Sequence, residues 1–391
     1  MTKIIMIFLA FSLSSFGMSY EKFKKHTLKH SKVLQSKALS LQTTQQESAM
    51  LLRTQNPTLD LELSRFNPDF ENSEFGYMVS ASQNIRTNTY YSSLESKANA
   101  RVLLQKAYIL DGKAGYIKTL EKLYTQYVHE SKLLTLLQQE YRLSNKVTRM
   151  VKERYENGSE TRVAYLQANT ETLMLKTQMH TTKQKVNTLY LQLLAIAGFN
   201  KNISLEKQFI YSVSTTTSKS RKQNSLEQIL LAKEKMLASQ AQINESTFES
   251  YVLSAGIEQE PDQSILRFNI SVPLTLQHNK EEEKTLAKLQ MQQLSLDKEQ
   301  LAFDMNAQKK IYRASIKELS LQYNSLKTLQ KEQKTLSSLL TEGYKIAQGS
   351  LFQLMREKSR LIQTNKSLLN TQKEINNQKI ELRFLQGHYN D

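Results

Sequence analysis

The chain has no cysteine and no tryptophan, and only four prolines and ten glycines among 391 residues. Without cysteine it cannot carry a disulfide scaffold, a thiolate zinc site, a cysteine nucleophile or a lipid-modified cysteine. Scarce proline and glycine argue against many short strands joined by tight turns. Together with abundant Leu, Gln, Lys, Glu, Ser and Thr, they favour long helices. Also missing is any run of about 18 apolar residues, the length a membrane-spanning helix needs. Positive charge is in excess, at a net +16. That balance admits nucleic acid or an anionic membrane as partner, and equally a solvated surface.

The N-terminus sets the compartment. Lys3 precedes the apolar stretch Ile4 to Leu13, and the small residues Ser14, Ser15, Gly17 and Ser19 follow. This is the layout of a secretory signal peptide over residues 1–19, with cleavage after Gly17 or Ser19. The mature chain is therefore expected outside the cytoplasm, either soluble or in contact with a membrane through β-strands.

All four prolines, Pro57, Pro68, Pro261 and Pro273, fall in two short windows. Proline is costly inside helices, so these windows mark the non-helical parts. In the first (57–85), Leu59, Leu61 and Leu63 interleave with Asp60, Glu62 and Ser64. After a polar loop, Phe75, Tyr77, Val79 and Ala81 interleave with Gly76, Met78 and Ser80. In the second (251–274), Tyr251, Leu253, Ala255 and Ile257 lead to Leu266, Phe268, Ile270 and Val272, with Arg267, Asn269 and Ser271 between them. Strict alternation predicts two β-hairpins, each with one apolar and one polar face. Each run has about the 9–11 residues that a tilted strand needs to cross a bilayer, and hairpins packed on a soluble core fit the same pattern. Charge at Asp60, Glu62 and Arg267 favours a wet lumen on the polar side.

The proline-free stretches predict helices. Leu103, Ala107, Leu110, Ala114, Ile117, Tyr124 and Val128 form one stripe, which Gly112 and Gly115 interrupt. Tyr312, Ile316, Leu319, Tyr323 and Leu326 form a second. Leu354, Leu361, Leu368, Ile375 and Leu382 recur every seven residues, the period of coiled-coil packing. Helices of this length suit a rod or a tube. Two turns interrupt them, Tyr155-Glu156-Asn157-Gly158-Ser159 and Ile346-Ala347-Gln348-Gly349-Ser350. The hairpins and the turns are displaced by nearly the same number of residues, so the chain reads as a duplication. The first repeat spans 20–199 and the second 225–391, joined by a polar linker at 200–224. Each tip glycine is expected at positive φ, ending one helix, with the following serine capping the next.

Four strands cannot close a membrane barrel, whose smallest forms have about eight, so several chains must share one. The doubled helix–hairpin–helix plan, the Asn56-Pro57 step into a strand, Tyr155-x-x-Gly158-Ser159, the run from Leu189 to Gly198 and the Gly349-Ser350 turn together resemble the TolC-type outer membrane efflux family. The resemblance implies an α+β, mostly α fold. Coiled-coil helices would form an α-barrel, and two β-hairpins per chain would join an intermolecular transmembrane β-barrel. It also implies a homotrimer in outer membrane lipid with a large periplasmic portion. The trimer would serve as the exit duct for a periplasmic adaptor and an inner-membrane pump. Asn157, Gly158, Ser159, Gln348, Gly349, Ser350 and Leu351 would be adaptor-docking tips. Arg154, Glu156, Glu160, Arg162, Arg356, Glu357 and Lys358 would pair between neighbours as pore-gate charges. Asp60, Glu62, Arg267 and Asn269 would face the barrel lumen.

Three features depart from the family pattern: the absent lipid-modified cysteine, the short linker, which predicts a reduced belt around the tube, and Met355-Arg356-Glu357-Lys358 where some relatives carry acidic rings. No catalytic constellation, cofactor motif or metal motif appears. His26 and His30 share a helix face without a third ligand and are expected to be solvated. A secreted chain without a nucleic-acid-binding fold makes no nucleic acid the expected partner. The alternative is an exported, soluble coiled-coil protein with structural or adhesive work.

Overall fold

The computed structural model describes residues 17–66, 73–214, 222–246, 248–273, 280–346 and 349–390. Most of the expected signal peptide, the Pro68 loop and Gln348 lie outside them. Among the described residues there are seven helices and one sheet: α1 Tyr20–His30, α2 Lys32–Leu52, β1 Thr58–Phe66, β2 Glu74–Arg86, α3 Asn88–Glu156, α4 Arg162–Ala197, α5 Ser225–Glu245, β3 Ser250–Gln259, β4 Ser264–Ser271, α6 Glu281–Lys345 and α7 Leu351–Leu385. The order helix, hairpin, very long helix, returning helix occurs twice. The first copy differs in opening with two helices, because Ser31 adopts an extended conformation and caps α2 from Leu34 N–H.

The four strands form a single antiparallel sheet in the order β1-β2-β3-β4. Its register places the alternation of all four strands in phase. Leu61 faces Val79, which faces Ile257, which faces Leu266. Asp60 faces Ser80, then Gly256, then Arg267. A slip of one residue at any pairing would mix these two rows.

α3 has 69 residues and α6 has 65. At 1.5 Å per residue each is about 100 Å long. Gly112 and Gly115 do not break α3; the helix runs through both. No described helix is long and apolar enough to cross a membrane. α4 folds back along α3, and α7 along α6, while α7 also packs on α3.

The largest core lies midway along α3. Tyr20 and Phe23 of α1 pack there on Leu120, Tyr124 and Val128 of α3, and on Leu193 and Ala197 of α4. Burying each such large apolar side chain stabilises the fold by about 1.5–3 kcal/mol. At its edge sits Glu121, 1% exposed. It accepts hydrogen bonds from Tyr211 (2.7 Å) and Tyr389, and pairs with Lys24 at 3.3 Å. α1, the segment after α4 and the residues after α7 are thus tied to one carboxylate. Burial and this carboxylate both raise the pKa of Tyr389 and Tyr211. His26 stacks on Phe199 with ring centroids 4.0 Å apart, and its Nδ1 is buried. The expectation of solvated histidines holds for His30, which is exposed, and only in part for His26, one side of which Phe199 covers.

Candidate functional site: a sheet face and two helical tips

The sheet exposes its apolar side. Leu63 is 84% exposed, Phe268 77% and Phe75 73%, in line with Leu59, Leu61, Leu266 and Ile270. A water-soluble sheet hides such a face, whereas nothing in the described chain covers this one. Asp60, Glu62, Arg267 and Asn269 all lie on the opposite, polar face, as their register requires. Glu258 joins them there and forms an ion pair with Arg267. β1 and β4 are the sheet's outer strands, each pairing on one side only.

The other end carries the two tips. After α3, Gly158 takes φ +71°, and Ser159 N–H donates to the Arg154 carbonyl at 2.8 Å. This left-handed ending matches the expectation for Gly158. The cap of α4 does not match: Thr161, not Ser159, accepts from Ala164 N–H. At the second tip Gly349 is not left-handed. It is small for another reason: a Cβ there would lie 2.8 Å from the Tyr344 backbone nitrogen. Ser350 occupies the N-cap position of α7 without a side-chain hydrogen bond. Two turns of similar sequence therefore use glycine differently, the first for its backbone freedom and the second for close approach.

The two tips touch through Tyr344, 1% exposed at the end of α6. It is buried with Val147, Val151, Ala168, Leu351 and Leu354. Arg154 stacks its guanidinium 4.3 Å above the Tyr344 ring and donates to the Tyr344 carbonyl at 2.6 Å. The Tyr344 hydroxyl donates to Glu160 at 2.9 Å. Burial and this carboxylate raise the Tyr344 pKa.

The remaining tip charges divide. Glu156 pairs with Lys152 at 3.5 Å, and buried Glu357 lies 3.8 Å from Arg360. Lys358 lines a small cavity with Glu140 and Glu171. Burial lowers its pKa and raises those of both carboxylates. Five of the seven expected gate charges are thus engaged inside one chain. Arg162 and Arg356 are exposed and have no ion-pair partner among the described residues. Arg356 borders an apolar groove with Phe352, Val163, Leu166 and Met174.

Tyr344 was missed in the sequence because tyrosines on helix stripes read as ordinary packing. The signal was present: three seven-residue steps from Tyr323 on the α6 stripe lead through Gln330 and Ser337 to Tyr344.

Long paired helices ending in a four-stranded sheet with an exposed apolar face define the architecture of the chain. Solved structures share it. The outer membrane protein VceC from Vibrio cholerae matches with a TM-score of 0.77 at 13% identity, over 94% of this chain and 95% of that one. The Campylobacter jejuni CmeC outer membrane channel matches at 0.76 and 14%, over 94% and 85%. The open-state MtrE outer membrane channel of Neisseria gonorrhoeae matches at 0.73 and 13%, over 94% and 88%. At these identities the likeness is one of fold, and the fold is the one that the TolC-type resemblance implied. No family profile and no curated sequence matches the chain.

Proposed function

We propose that the chain is the outer membrane exit duct of a tripartite efflux or secretion system, conducting substrates passively from a periplasmic adaptor and an inner-membrane pump to the exterior. The observation that carries this reading is the uncovered apolar face of the sheet. An apolar face this exposed has no place in water, and two one-sided edge strands have no place in lipid unless neighbouring copies pair with them. Three copies would supply twelve strands, enough to close a barrel. Leu59, Leu63 and Phe268 would then face lipid, with Asp60, Glu62, Arg267 and Asn269 lining the lumen. A soluble coiled-coil protein would leave the same face wet.

The exposed stripe Leu289, Leu296 and Phe303 on α6 supports assembly too, since its seven-residue spacing suits a neighbouring helix. Asn157, Gly158, Ser159, Gly349, Ser350 and Leu351 cap the far end and form the adaptor-docking surface in this reading. Arg154 and Glu160 hold that end shut through Tyr344, and Arg162 and Arg356 remain for contacts between copies. Of the two cleavage positions, the one after Gly17 keeps Met18, whose N–H donates to the Ser204 carbonyl at 2.6 Å.

Extraction and planar-bilayer recording test the reading. The mature protein should stay in the membrane fraction in high salt, leave it only in detergent as a cross-linkable trimer, and form discrete channels. Release by salt as a monomer would refute the duct.

A further inference from the structure

The first repeat carries a helix with no counterpart in the second. One face of α1 is fixed: Tyr20, Phe23 and Thr27 are buried, and Lys24 pairs with Glu121. The other face presents Lys22, Lys25 and Lys29, and Lys32 follows just past the break. These positions lie three or four residues apart and share one side of the helix. All four are exposed, and among the described residues none has an ion-pair partner. Two carboxylates lie nearby in the chain, Glu21 on α1 and Glu206 on the segment packed against it. That segment also adds the exposed Lys201 and Lys207. Like charges at such spacing repel one another, so this face is positive at a cost to the helix that bears it.

Its position narrows the partner. α1 packs where Leu120 to Val128 lie on α3, about 50 Å from either end of that helix. Neither membrane lipid at the sheet nor a protein at the tips reaches this level. In an outer membrane duct, the anionic material at mid-height is the cell wall, whose peptide stems carry free carboxylates. We propose that the Lys22–Lys25–Lys29 face of α1 binds those carboxylates and anchors the tube in the peptidoglycan layer. The proposal rests on the duct reading for its geometry.

The test uses the full mature protein in detergent and purified sacculi at low ionic strength. The wild type should pellet with sacculi and should not pellet with sacculi whose carboxylates have been amidated. K22E/K25E/K29E should reduce pelleting about fivefold, and added salt should do the same to the wild type. K176E/K183E/K288E, an equal charge change on exposed sites of α4 and α6, should pellet normally. The proposal is overturned if the wild type does not pellet, if both variants lose binding equally, if α1 charge affects only binding to anionic vesicles, or if the α1 variant loses its trimer, which would make the face a subunit contact. Channel recordings on the same variant keep the two readings apart. Normal conductance without pelleting loss removes the anchor alone, whereas absence of channels in the wild type removes the duct.

Discussion

The middle of the molecule and its tips are held in opposite ways. At mid-height, aromatic rings and a buried carboxylate join three distant parts of the chain around Glu121. At the tips, the two helical hairpins meet through an apolar cluster of Val147, Val151, Ala168, Leu351 and Leu354 around Tyr344, and among the described residues the polar contacts to that ring come from Arg154 and Glu160 alone. His129 adds to the middle by linking α3 to Asn370 of α7 at 2.8 Å. On the duct reading, the difference makes the mid-height contacts a clamp and the polar contacts around Tyr344 a latch on the end that opens.

The largest effect should come from breaking the clamp. Glu121→Ala leaves Tyr211, Tyr389 and Lys24 without their shared acceptor and should cost about 3–5 kcal/mol, read as a fall in thermal midpoint. A midpoint shift of a degree or less would mean the carboxylate is dispensable. Next comes the second tip. Gly349→Val sets a side chain against the Tyr344 backbone and should cost about 1–3 kcal/mol locally. It should raise protease sensitivity near 344–351 while leaving the clamp intact. Gly158→Ala, which meets only backbone strain at φ +71°, should cost about 1 kcal/mol. Equal effects at the two glycines would erase the distinction drawn between them.

Tyr344→Phe keeps the ring under Arg154 but deletes the hydrogen bond to Glu160, a change of about 0.5–1.5 kcal/mol. In planar bilayers it should lengthen open times, and Arg154→Ala should lengthen them further. Unchanged gating in both would remove the latch. The smallest effect concerns pH at the clamp. A hydrogen bond from His129 holds the Glu130 pKa below its ordinary value against the opposing effect of burial. A lowered folded-state pKa adds stability above the ordinary carboxylate pKa and loses it as pH falls through the lowered value. Glu130→Gln should therefore be less stable than wild type at pH 7, and the gap should close in acid. A gap that widens in acid would reverse the assignment.

Much of the fold was legible because two periodicities dominate it. Alternation at Leu59–Leu63 and Leu266–Ile270 marked the strands, and the seven-residue series from Leu354 marked α7. Residues acting across the duplication were not legible. Glu121 sits in a lysine-rich stretch and reads as a solvated charge until Tyr211 and Tyr389 are brought to it. Gly349 and Gly158 occupy look-alike turns, yet only one needs positive φ, because that choice depends on how closely α6 approaches. The tip charges were found as a group, but their partners within the chain, such as Lys358 with Glu140 and Glu171, depend on helix packing that spacing alone does not report.

The bond from Tyr389 to Glu121 spans 268 residues. The hairpins α3–α4 and α6–α7 are local in sequence, and Glu121 can take Lys24 and Tyr211 early, but its third partner comes only with the far end of the chain. A chain cut short before Tyr389 would keep its rods side by side through the apolar core, but would leave the last tie between the end of the chain and the middle of α3 unmade.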